Sequence, residues 1–158
     1  MQAQSDFAVY RVHLKNAEEC HRLHYLQMAC EKIAKAYRLR DEQTFTESDL
    51  YSHAVFSKFI LGFLKTVWLR NRYGSRDAKR RHLERYARNL ATAIEKLAPA
   101  IDRANTPANV EYPWIAGGRV YAPVSHRFGI AERLSEPAGR DFVALIELAI
   151  TDYANAGN

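Results

Sequence analysis

Apolar residues return every three or four positions along most of this chain, a spacing that commits it to packed amphipathic α-helices. Leu23, Leu26, Cys30, Ile33, Ala34 and Tyr37 form one such stripe, ending near Leu39. Asn16 is a good N-cap ahead of Ala17-Glu18-Glu19, and acids in a first turn complement the positive end of the helix dipole, so the helix is expected to open there. Phe7, Tyr10 and Leu14 extend the same period backwards. Asp6 to Lys15 is therefore a separate short helix or the first turns of a longer one.

Thr46-Glu47-Ser48-Asp49 offers a capping arrangement before Val55, Phe56, Phe59, Ile60, Phe63, Leu64, Val67 and Trp68, an apolar face wide enough to require burial on both flanks. Gly74 suits the left-handed end of this central helix, and Ser75 can cap the next one. Leu83, Tyr86, Ala87, Leu90, Ile94, Leu97 and Ile101 then keep the rhythm for five turns, with Pro99 bending or ending the helix because it lacks an amide donor. Asn105 to Ser125 holds Pro107, Pro113, Gly117, Gly118 and Pro123 and has no helical period, which predicts a long excursion with a short hairpin around Ala116-Gly117-Gly118. Pro137 fits a first helical turn, and Phe142, Leu145, Ile146, Ala149 and Tyr153 give the face of a final helix. The reading is an all-α, up-and-down bundle of four to five helices with a long Pro/Gly-containing loop before the last helix, occupying residues 1–158 as one domain.

Glycine and proline are too scarce for the many turns of an all-β fold, and 47% hydrophobic with 26% charged residues is ordinary globular composition. Cys20 and Cys30 lie ten residues apart in one helix, roughly 15 Å along its axis, so they are expected to be reduced thiols. The polar start Met1-Gln2-Ala3-Gln4-Ser5-Asp6 lacks the plan of a secretory signal. The most apolar stretch, Ala54 to Leu69, is broken by Ser57, Lys58 and Lys65, which argues against a membrane span and for a cytoplasmic protein.

The run His24-Tyr25-Leu26-Gln27-Met28-Ala29-Cys30-Glu31-Lys32-Ile33-Ala34-Lys35-Ala36-Tyr37 resembles the second-helix signature of HEPN domains, an apolar-Gln-x-Ala-x-Glu-Lys-x-x-Lys-Ala pattern. Ser52-His53-Ala54-Val55-Phe56 with Phe59 looks like the His-containing start of that family's next helix, and Asn109-Val110-Glu111-Tyr112-Pro113 stands where many members carry an Arg-Tyr-Pro-like segment. The resemblance implies a bundle, usually dimeric, from toxin-antitoxin, phage-defence or RNA-processing systems. It also implies a nucleotidyltransferase or antitoxin as a possible partner. Catalytic members are metal-independent endoribonucleases with an Arg-x4-6-His motif. In such a pair a base takes the ribose 2′-OH proton while Arg donors meet the charge developing on phosphorus. The signature has a purely structural reading as well, since small residues let helices approach closely and Glu31 beside Lys32 and Lys35 is placed for local ion pairs.

Two spans fit the Arg–His count, Arg76 to His82 and Arg119 to His126, in a chain whose sixteen Arg and six His make such matches common by chance. The first is followed by the polar Asp77, but an offset of six on a helix leaves the two side chains roughly 120° apart. The second crosses Pro123. Between Arg70 and Arg88 stand eight cations (Arg70, Arg72, Arg76, Lys79, Arg80, Arg81, Arg85, Arg88) against Asp77 and Glu84, whereas the whole chain carries only +5. Arg81, Arg85 and Arg88 fall opposite the Leu83, Leu90, Ile94 stripe. With Arg80 they make a ridge able to follow a phosphate backbone, or a merely solvated face.

His24, His53 and His126 with Glu111 and Tyr112 would converge on a polar pocket if the long loop folds back over the bundle, taking a nucleotide or simply tying the loop down. No metal-ligand spacing is present, His21 and His24 being the one close pair, and no cofactor motif is seen. Trp68 and Trp114 read as packing residues. The expectation is a HEPN-like bundle, non-catalytic or degenerate, that binds RNA or a nucleotide and acts as a homodimer or beside another protein. The alternatives are a metal-independent endoribonuclease using an Arg–His pair, and a protein-binding assembly module.

Overall fold

A computed structural model describes residues 1–14, 16–40, 52–66 and 77–156, with the backbone alone for 77–80. It is a helical bundle, and among the described residues it is all-α except for one small hairpin. The helices are α1 (Gln2–Ala8), α2 (Glu19–Arg40), α3 (Phe56–Phe63), α4 (Asp77–Glu95), α5 (Ile130–Ser135) and α6 (Pro137–Asn155). The hairpin pairs β1 (Trp114–Ala116) with β2 (Arg119–Tyr121) in antiparallel register, Ala116 opposite Arg119. Gly117 (φ 55°) and Gly118 (φ 74°) supply the two left-handed positions of its two-residue turn.

The stripes read from the sequence meet in one interior. Leu23, Leu26, Cys30 and Ile33 of α2, Phe56 and Ile60 of α3, Leu83, Leu90 and Ile94 of α4, and Phe142, Leu145 and Ile146 of α6 are all buried in the same cluster. Each such large side chain withdrawn from water contributes roughly 1.5–3 kcal/mol. Tyr37 closes one end, its ring 4.7 Å from Phe59 and 5.1 Å from Tyr153. Cys20 and Cys30 are free and buried, and burial raises both thiol pKa values. Among the described residues no helix is long and apolar enough to cross a membrane.

Several helix boundaries depart from expectation, each at a turn or contact that the helical period does not display. The N-terminal segment is a helix of its own: α1 runs into a π-helical stretch, Val9–His13, and a turn in which Ala17 N–H donates to Leu14 O at 3.1 Å. That turn pushes the start of α2 from Asn16 to Glu19, with Glu18 O receiving the Arg22 N–H. The helix α3 begins only at Phe56, after the non-helical residues 52–55; the Thr46–Asp49 capping arrangement lies outside the described residues, as do Val67, Trp68, Gly74 and Ser75. Its first turn is served instead by the buried Glu95 carboxylate, which accepts the Ser57 N–H at 2.8 Å. The helix α4 stops at Glu95 and tightens into turns, Leu97 N–H donating to Ile94 O, before reaching Pro99 or Ile101. The sequence reading lacks α5 altogether. It opens at Gly129 (φ 66°) and buries only Ile130 and Leu134. Gly139 lets α6 lie against its end, since a Cβ there would overlap the Arg133 carbonyl and the Leu134 backbone. The final helix does begin at Pro137.

Candidate nucleic-acid interface and polar cleft

The two long charged helices use their charges differently. On α4 the buried residues Leu83, Ala87, Leu90, Ala91 and Ile94 hold one face against the core, which turns Arg81, Arg85 and Arg88 outward. All three are exposed and none makes an ion pair with a described residue. They lie within about 60° of one another around the axis and span roughly 10 Å along it. Arg70, Arg72 and Arg76 lie outside the described residues, as do the side chains of Lys79 and Arg80.

On α2 the polar residues of the signature are consumed internally. The Glu31 carboxylate accepts from Lys35 Nζ at 2.6 Å and Gln27 Nε2 at 2.9 Å, and His53 Nδ1 lies 2.9 Å from its Oε2. Burial pushes the Glu31 pKa up, but the Lys35 and His53 contacts outweigh it and hold the group below its ordinary value. Lys32 turns the other way, its Nζ 2.6 Å from the buried carboxylate of Asp6, which also accepts from Gln2 Nε2 at 3.2 Å. Glu31 and Lys32 thus anchor a loop and a helix rather than each other.

One turn nearer the start of α2 the proline-rich loop returns, as the sequence allowed. Val110 N–H donates to Leu97 O at 3.2 Å, and the buried Asn109 accepts both the Glu111 N–H (3.0 Å) and the Tyr112 N–H (2.8 Å) on its side-chain oxygen. This Asx-type turn fixes both residues against α2. His24, Glu111 and Tyr112 consequently share an open cleft of about 480 Å³, together with His21, Val110, Pro123 and Val124. His24 Nδ1 stands 3.7 Å from Glu111 Oε1. That is within ion-pair reach but longer than a hydrogen bond, and the buried nitrogen has no other partner among the described residues.

The other expected pocket members lie elsewhere. His53 belongs to the Glu31 network and not to this cleft. The His126 ring is set edge-on to Trp114 at 4.9 Å and to Phe128 at 4.8 Å, part of a small aromatic cluster in which Trp114 also stacks on Tyr121. Trp114 is buried, as a packing residue should be. Arg119 is exposed on β2. His82 is exposed on α4, its ring 6.3 Å from Tyr86, whose hydroxyl donates toward Arg133 O and Glu136 Oε2 and so ties α4 to α5. Among the described residues no group of three His, Cys, Asp or Glu stands close enough to hold a metal ion.

The sequence reading does not single out Asn109 or Glu95 as positioning residues. Asn109 is a plain turn former until Leu97 is known to be its neighbour, and Glu95 reads as one more polar position on α4 until α3 is docked beside it. Compared with family models, curated proteins and solved structures, the chain matches none of them.

Proposed function

We propose that this chain is a HEPN-like bundle that binds RNA through the basic face of α4, without itself cleaving it. One observation carries the reading: Arg81, Arg85 and Arg88 stand exposed in a row, with no ion pair to a described residue. Paired arginines would be architectural, whereas an unpaired row has its donors free for phosphate oxygens. Binding at this face needs no sequence-specific base contact and weakens as salt competes for the phosphates. A homodimer, or a complex with a second protein such as a nucleotidyltransferase or antitoxin in a defence system, would lengthen the basic surface. The exposed cross-strand pair Ile115 (71%) and Val120 (74%) offers an apolar patch for such association, which size-exclusion chromatography with light scattering would detect.

A gel-shift titration with single-stranded RNA at several salt concentrations tests the reading. Binding that falls steeply with salt supports it; a flat response, or no complex at high micromolar protein, refutes it.

A second reading, metal-independent endoribonuclease using the Arg76–His82 pair, is favoured by His82, which is exposed on α4, while Arg76 lies outside the described residues. RNA incubated with the protein and a chelator should then be cut, and His82→Ala should abolish cutting. Loss with His126→Ala instead would point to the Arg119–His126 span.

A further inference from the structure

The cleft between α2 and the proline-rich loop is not explained by a backbone-binding ridge, and its lining has a definite chemistry. Its walls are Val110, Pro123 and Val124, its rim includes Tyr112, and its polar groups are Glu111 and the histidines of α2. No Lys or Arg is among the described residues lining it. A phosphate would meet the Glu111 carboxylate with no Lys or Arg of the described lining to offset the repulsion, and with His24 already beside that carboxylate, so the part of a nucleotide suited to this cleft is its base. The space of about 480 Å³ lies within the range of small-ligand sites. Tyr112 (55% exposed) and Val124 (56% exposed) present open apolar surface on which a flat ring can lie.

An ionised carboxylate only accepts hydrogen bonds. It therefore selects the base edge offering two adjacent donors. Guanine presents N1–H and N2–H₂ side by side, one for each carboxylate oxygen. Adenine presents one donor beside the N1 lone pair, which would face the second oxygen. Asn109, buried and accepting the backbone amides of both Glu111 and Tyr112, fixes the stretch of backbone from which the carboxylate and the ring project. We infer that this cleft is a guanine-selective base site, in which Glu111 reads the Watson–Crick edge and Tyr112 stacks on the ring.

The inference rests on the RNA reading for its biological setting, but its test does not. The probes are the 5′-monophosphates of guanosine, inosine, adenosine and cytidine, titrated calorimetrically into the whole chain. Guanosine monophosphate should bind at least about tenfold more tightly than the adenosine and cytidine forms, with inosine monophosphate between them because it lacks N2–H₂. Glu111→Gln should bring guanosine and adenosine monophosphate to within about twofold of each other. Tyr112→Ala, at an exposed position, should weaken guanosine, inosine and adenosine monophosphate alike by about fivefold. Equal binding of the guanosine and adenosine forms by the unmodified chain, no binding by either at millimolar concentration, or an unchanged preference in Glu111→Gln would each overturn the assignment. Salt-sensitive RNA binding without a guanine preference overturns the cleft alone; a guanine preference without RNA binding supports the cleft and overturns the RNA reading.

Discussion

The helices α2 and α4 both carry rows of charge, and the rows have opposite fates. On α2, Glu31 gathers Gln27, Lys35 and His53, and Lys32 reaches across to Asp6, so that each charge is partly buried and matched. On α4, Arg81, Arg85 and Arg88 face solvent without a described acid to meet them. Matched charge at partial burial is expensive to break, because the abandoned partner keeps its desolvation cost. Unmatched charge on a surface contributes little to stability and is available to a polyanion. The residues that resemble a family signature thus act as architecture, while a stretch outside that signature carries the exposed row proposed above for RNA.

Removing charges from each row in turn breaks or sharpens the contrast. The largest loss is expected for Glu31→Ala, which leaves Lys35, His53 and Gln27 without their common acceptor and should cost about 3 kcal/mol in urea unfolding. Asp6→Ala should cost about 2 kcal/mol, since it leaves only Lys32 and Gln2 to find water. Glu95→Ala removes the carboxylate that serves the first turn of α3 and should cost about 1 kcal/mol. None of these three should change RNA affinity at fixed salt. The triple variant Arg81→Ala, Arg85→Ala, Arg88→Ala should do the reverse, staying within about 0.5 kcal/mol of the unaltered stability while binding RNA more weakly.

Acid sharpens the α2 half of the comparison. The pKa of Glu31 is lower in the folded chain than its ordinary value, so its ionised form is favoured by folding. The stability it contributes is complete above the unfolded pKa of about 4.3 and is lost as pH falls through the lowered folded value. The stability gap between the unaltered chain and Glu31→Gln should therefore narrow as pH falls below about 4. A gap that widens below that pH would show that Glu31 is not held as a carboxylate by its partners.

The same contrast explains what could be read from the chain in advance. The rods themselves are legible because Leu26, Ile33, Leu90, Ile94, Phe142 and Ile146 repeat at helical spacing and nothing local competes with that pattern. The ridge is legible for the same reason: the period that buries Leu83 and Leu90 turns Arg81, Arg85 and Arg88 outward. Helix ends are less so. The starts of α2 and α3 and the stop of α4 depend on a turn at Leu14 to Ala17 and on Glu95 reaching Ser57 across 38 residues of sequence, contacts that no window of sequence displays. With fewer than two turns and two buried anchors, α5 has too short a period to register. Of the polar pocket, His24, Glu111 and Tyr112 do share one cleft, but the division of the histidines is set by the path of the chain. The segment before α3 sets His53 against Glu31, and the chain after the hairpin sets His126 among the rings of Trp114 and Phe128.

The salt dependence of single-stranded RNA binding, compared between the unaltered chain and the Arg81, Arg85, Arg88 triple-alanine variant, tests the central claim most directly. Three lost phosphate contacts should make the slope of log Kobs against log salt shallower by about 2, with the folded state intact. Equal slopes in the two proteins would contradict the assignment of α4 as the RNA-binding face.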